Sequence, residues 1–173
     1  MASIPAEDTR TRIRAGGVSD IPLVQALADE IWHRHYPGII SREQIAYMLA
    51  HGYSREALTR FVTEDAAGLA LAEIDDRDVG FAAWYRVDDT TTKIDKLYVL
   101  PEHHGTGVGR TLIEHVAAFA RERGCTSLTL NVNRNNTGAL RAYEHCGFAI
   151  RERGDFPIGN GFVMEDFVMV RGL

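Results

Sequence analysis

The residues best placed to do chemistry are the run His103-His104-Gly105-Thr106-Gly107-Val108-Gly109-Arg110. It follows the apolar stretch Leu97-Tyr98-Val99-Leu100-Pro101 and leads into an amphipathic segment. A strand that enters a helix through alternating glycines lets backbone N–H groups approach a ligand closely, and the helix N-terminus adds a partial positive charge. That combination seats a diphosphate; the alternative is a tight turn and nothing more. Two other nucleotide loops do not fit. A P-loop closes on Gly-Lys-Ser/Thr, whereas this run ends Gly109-Arg110-Thr111, without the lysine that reaches the β and γ phosphates. A dinucleotide fingerprint needs glycine where Arg110 stands and an acid roughly twenty residues later, where this chain has Asn131. Metal is poorly served as well. Adjacent His103 and His104 cannot both face one ion from a regular strand, and no carboxylate or cysteine is spaced to complete a site.

The elements that must position this loop can be read from periodicity. Residues 11–15 read as a first strand, and Ser19-Asp20-Ile21-Pro22 as a helix start with Leu23, Leu27 and Ile31 on its buried face. That helix should end near Tyr36-Pro37-Gly38. Ser41-Arg42-Glu43-Gln44 has the form of a capping box, and Ser54-Arg55-Glu56-Ala57 opens a second short helix. Strand-like runs follow at 69–74, 79–87 and 91–99, divided by short acidic turns that predict an antiparallel meander. The helix over 107–123 carries Val108, Leu112, Val116 and Ala120 on one stripe, flanked by Ile113 and Ala117, and Gly124 stops it. A helix of that length is the usual crossover, so the strand over 127–132 should run parallel to 91–99. A helix over 137–145 ends at Gly147, and strands over 148–153 and 162–170 close the chain. The sum is an α/β protein: one mixed sheet with helices on both faces.

Composition narrows the function. The 173 residues, 45% apolar, suit one globular domain spanning 1–173. A formal charge of -5 argues against general affinity for nucleic acid or anionic membrane. No apolar run is long enough to cross a bilayer, and residues 1–14 lack the apolar centre of a secretory signal. Cys125 and Cys146 have no CxxC spacing and suit a reducing compartment, so cytoplasm is the expected location.

A second motif then joins the first. Asn136-Thr137-Gly138-Ala139-Leu140-Arg141-Ala142-Tyr143 is followed by Cys146-Gly147-Phe148, one helix and one strand after the glycine loop. Together the two resemble the signatures of the GNAT superfamily of acyl-CoA-dependent N-acyltransferases: Gln/Arg-x-x-Gly-x-Gly/Ala in the loop, then Asn-x-x-Ala-x-x-x-Tyr and Gly-Phe. His104 stands where the family has glutamine or arginine, which puts that first ligand contact in doubt. Strand Leu97-Tyr98-Val99 and the tail over 159–169 look most like bacterial members grouped with polyamine acetyltransferases.

The resemblance implies a GNAT fold, with a mostly antiparallel central sheet of six to seven strands flanked by helices on both faces. It implies acetyl-CoA as cofactor. His104, the segment 105–110 (Gly105, Thr106, Gly107, Val108, Gly109, Arg110), Leu97, Tyr98, Val99, Asn131, Asn136, Ala139 and Tyr143 would hold it. Asn136 is also a good N-cap for the helix that follows. Tyr143 has a second reading as a core aromatic; in the family this tyrosine commonly protonates the departing thiolate, a task a phenol of pKa about 10 can perform. Asp95, placed by alternation on the face of Leu97 and Val99, would take the amine's proton or anchor its charge, unless it only pairs with Lys93 or Lys96 at the surface. Trp32, His35, Tyr36, Tyr47 and His51 fall where the family roofs its acceptor pocket; aromatics at helical spacing serve equally as core. The expected partner is a small primary amine, with a peptide N-terminus as a rival acceptor and a CoA-binding sensor as a rival class. Pairing of the closing strand across a homodimer is compatible with the pattern.

Overall fold

In the computed structural model, residues 11–173 are described. The elements run β1 (Arg12–Ala15), α1 (Ile21–His35), α2 (Arg42–Gly52), α3 (Arg55–Thr63), β2 (Ala67–Ile74), β3 (Arg77–Arg86), β4 (Thr91–Val99), α4 (Val108–Glu122), β5 (Ser127–Asn133), α5 (Thr137–His145), β6 (Ala149–Gly159) and β7 (Phe162–Gly172). The strands form one seven-stranded sheet in the order β1-β2-β3-β4-β5-β7-β6. Only β4 and β5, joined through α4, run parallel. No helix among the described residues is long and apolar enough to cross a membrane.

Alternation along the strands feeds two cores. Ala70, Ala72, Leu128, Leu130 and Met169 face α4, whose stripe Val108, Leu112, Ile113, Val116, Ala117 and Ala120 is buried as its spacing predicts. Leu69, Leu71, Phe81 and Ala83 face α1 to α3 on the other side. Each fully buried leucine or isoleucine in these layers contributes about 1.5–3 kcal/mol of transfer free energy. In α1 the buried face is Ile21, Val24, Leu27 and Ile31 with Ala28 and Trp32. Leu23 lies at its half-buried margin rather than at its centre.

Three further expectations are corrected. The Ser41 hydroxyl accepts from the Gln44 amide, but the Gln44 side chain does not complete the capping box. It reaches instead to β7, donating to the Val163 carbonyl and to Met164 Sδ. Strand β6 does not stop at Arg153, because a two-residue turn at Asn160-Gly161, both with positive φ, extends the β6–β7 hairpin. Finally, the closing strand β7 lies inside the sheet between β5 and β6, so it has no edge to offer a second copy. The edge strand on this side of the sheet is β6, which accordingly tolerates Pro157.

One irregularity matters most for function. On β3, Ala83 opposes Lys96 and Trp84 opposes Ile94, which leaves Asp95 as an extra residue in a β-bulge. The β4–β5 ladder ends at the same point, with Ile94 opposite Leu130, while β5 stays paired to β7 as far as Asn133. Past the bulge, β4 and β5 part.

Candidate active site

The loop ahead of α4 is shaped by its glycines. Gly105 (φ 74°) and Gly107 (φ 92°) occupy the left-handed region that side chains rarely enter, and Gly107 is the N-cap of α4. A Cβ built at Gly105, Gly107 or Gly109 would meet no atom within 4 Å, so the space above the loop is kept clear of protein. The first α4 amide to find a backbone acceptor is that of Thr111, which donates to the Gly107 carbonyl at 3.0 Å. The amides of Val108, Gly109 and Arg110 precede it, so no helical carbonyl serves them, and they stand at the positive end of the helix. The arrangement is an anion seat made of backbone.

Side chains of the loop look elsewhere. His104 turns onto β4, its Nε2 2.8 Å from the Val99 carbonyl. Because a carbonyl only accepts, that nitrogen carries the proton, and the ring braces the end of the strand. The Thr106 hydroxyl donates to the His103 carbonyl at 2.6 Å, and Val108 is buried in the α4 core. Arg110 donates to the His145 carbonyl at the end of α5. Gly105, Gly109, Arg110 and His104 reach the cavity wall. Thr106, Gly107 and Val108 are not on it.

From this seat a cavity of about 810 Å³ passes between the parted strands. Leu97, Tyr98 and Val99 line it from β4 and Asn131 from β5, with Ala139 and Tyr143 on the α4 side and Trp32, His35 and Tyr36 on the other. Asn136 is buried and does cap α5: its Oδ1 accepts from the Ala139 amide at 3.4 Å and lies 3.0 Å from His35 Nε2, tying α5 to α1. The half-buried Tyr143 packs its ring 6.0 Å from Phe148. Burial raises its phenol above the ordinary value, so the hydroxyl keeps its proton at neutral pH.

Residues 25–148 match the sequence profile of the acetyltransferase (GNAT) family. The chain belongs to that family. It is 32% identical over 156 residues to an uncharacterized N-acetyltransferase of Mycobacterium bovis, covering 90% of this chain and 99% of the relative. A streptothricin acetyltransferase of Streptomyces lavendulae is 42% identical over 85 residues, 49% of this chain and 39% of that protein. In fold, the chain matches the PaiA N-acetyltransferase of Thermoplasma acidophilum, solved in complex with coenzyme A, with a TM-score of 0.82 at 23% identity, covering 95% and 99% of the two chains.

As a GNAT acetyltransferase the chain needs room for acetyl-CoA, and the residues fit it: a glycine loop open above its amides, then a cleft leading to Tyr143. The acceptor side corrects two readings. Asp95 does not share the face of Leu97 and Val99, because the bulge resets the alternation. Leu97 packs toward the α4 core, whereas Asp95 pairs at 3.0 Å with Lys96, whose ammonium lies 4.6 Å from the centre of the Tyr53 ring. Tyr47 is not on the cavity wall. Its hydroxyl donates to the Ile158 carbonyl at 2.9 Å and its ring stacks on His51, so it docks α2 on the β6–β7 hairpin, and Met48 and Gly52 turn to the cavity instead.

Trp32, Tyr36, Tyr53 and Tyr98 form a connected aromatic wall. Trp32 Nε1 donates to the Tyr53 hydroxyl at 3.2 Å, and the Tyr36 and Tyr98 hydroxyls are 3.2 Å apart. Burial pushes the phenols of Tyr53 and Tyr98 well up, so this wall is neutral. Sequence reasoning named Lys96 as a partner of Asp95 and missed Tyr53 and Asp166. For Asp166 a signal existed, since alternation with the buried Met164 and Val168 places an acid on an inward face of β7.

Proposed function

We propose that this acetyltransferase moves the acetyl group of acetyl-CoA to a primary amine of a small molecule. The observation that carries the reading is the single cavity joining the backbone anion seat to the aromatic wall through the parted strands. Its volume of about 810 Å³ lies in the range of small-molecule sites. When bound, acetyl-CoA supplies the activated acetyl thioester. Backbone amides over 105–110 hold its diphosphate, and Leu97, Tyr98, Val99, Asn131, Asn136 and Ala139 border its pantetheine arm. The Leu97 amide would be the donor to the acyl oxygen, where negative charge would develop. Tyr143 holds a proton at its hydroxyl for the departing sulfur. Asp95, at the bulge, takes the amine's proton directly or through water, and Trp32, His35 and Tyr36 bound the acceptor. One sheet underlies this site, and we read the chain as one domain; two free cysteines suit the cytoplasm.

The test is free thiol release from acetyl-CoA in the presence of polyamines, amino acids, aminoglycosides and peptides. Release stimulated by a small amine supports the reading. Stimulation by peptides alone would move the acceptor to a protein N-terminus, and binding of acetyl-CoA without release for any acceptor would make the chain a sensor.

A further inference from the structure

We propose that Asp166 is the anion that receives the ammonium group of the acceptor, which makes that acceptor a cationic amine. The inference rests on the amine-acetylation reading and names the group that recognises the substrate. Asp166 lies on β7 in register with Asn133 and Gly154, and its neighbours Phe167 and Met169 pack toward the α4 core. Alternation therefore turns Asp166 to the acceptor side, where it lines the cavity while only 6% exposed. One of its carboxylate oxygens is buried with no hydrogen-bond partner among the described residues.

A carboxylate oxygen taken out of water without a partner is costly, and native structures rarely leave one so. The nearby cations do not answer it. The Arg134 guanidinium is engaged by Asp155 at 2.6 Å and Glu165 at 3.3 Å, and Lys93 forms no ion pair among the described residues. Burial outweighs the pull of Asn131, Lys93 and Arg134 and raises the Asp166 carboxyl above its ordinary value. The other cavity carboxylate differs in this respect: Asp95 already has Lys96 at 3.0 Å. A substrate ammonium would supply Asp166 with its missing donor as a charge-assisted hydrogen bond. Tyr36 and Tyr98 line the same cavity, an aromatic surround compatible with a cation.

The experiment compares wild type with Asp166→Asn, which keeps the shape and removes the charge, and with Asp166→Glu, which keeps the charge. Thermal unfolding is followed with CoA present, with and without millimolar amines from the same panel, each matched by its neutral alcohol analogue. The expected result is that CoA stabilises all three proteins alike. At least one amine raises the melting temperature of wild type further and its alcohol does not, and the Asn variant loses that response. In turnover, the Asn variant raises KM for the amine at least about tenfold, equivalent to 1.4 kcal/mol. The Glu variant retains part of the amine response, which separates loss of charge from damage to the fold. An equal amine response in wild type and Asp166→Asn, an alcohol as effective as its amine, or no response to any amine would overturn the proposal. An Asp166-dependent amine response without thiol release would instead defeat the acetylation reading and leave the cation site standing.

Discussion

The two sides of the sheet build their halves of the site from different materials. On the α4 side the proposed anion seat is backbone: amides of one loop, three glycines, and a helix end. On the α1–α2 side the proposed acceptor wall is side chain: Trp32 from α1 and Tyr36 just past its end, Met48 from α2, Tyr53 beyond it, Tyr98 and Asp95 from β4, and Asp166 from β7. A backbone site is specified by contiguous residues whose local geometry suffices. A side-chain site depends on which distant elements meet, so substitutions can alter its specificity without disturbing the seat.

Four measurements would break or sharpen that contrast. The largest effect is expected at the junction of the two halves. Tyr143→Phe should lower kcat by about 100-fold or more while leaving CoA affinity within about twofold, if the phenol acts as general acid. Because burial raises this phenol, its proton is retained, and kcat should not fall as pH passes the ordinary phenol value of about 10. A decline with an apparent pKa near 10 that disappears in Tyr143→Phe would mean that this phenol titrates at its ordinary value, and one that persists in the variant would belong to another group. On the backbone side, Gly109→Leu should weaken CoA binding at least about tenfold, read by calorimetry. The same change should leave the protein as stable as before or up to about 1 kcal/mol more so, since leucine is the better helix former and its Cβ meets nothing. Undiminished CoA affinity would mean that the seat is not at this loop.

On the side-chain side, Asp95→Asn should reduce kcat by roughly tenfold near neutral pH. The deficit should shrink as pH approaches the amine's own pKa of about 10, where the acceptor no longer needs a base. A deficit constant with pH would reduce Asp95 to a partner for Lys96. The smallest effect is structural. Gln44→Ala removes the amide bonded to Val163 and Met164, and denaturant unfolding should register a loss of about 1 kcal/mol with CoA affinity unchanged.

What the sequence disclosed follows the same division. The Gly105-Thr106-Gly107-Val108-Gly109 loop, the α4 stripe and the Asn136 cap were legible because each is fixed by spacing within a turn or two of helix. The element order likewise gave helices on both faces, and the crossover helix gave the single parallel pair; strand alternation was the guide within each strand. It failed at Asp95, where one inserted residue reverses the phase and nothing in Thr91 to Val99 announces the insertion. Tyr47 was misplaced because helical spacing identifies a face and not what lies opposite it; the face met the β6–β7 hairpin. Gln44 fitted a local capping motif and was drawn away by a longer-range partner on β7. Asp166 was readable from its alternation, yet its value as a site depends on the lack of a cation partner, which only the packed structure reveals.

The extra residue at Asp95 has a kinetic consequence. A hydrogen-bonded sheet is a wall, and by ending the β4–β5 ladder at Ile94 the bulge opens a doorway through it without breaking the pairing of either strand to its outer neighbour. Two reactants can therefore arrive from opposite sides and meet midway, each free to leave while the other stays. Such a layout calls for a ternary complex, so double-reciprocal plots at several fixed concentrations of the second reactant should intersect rather than run parallel.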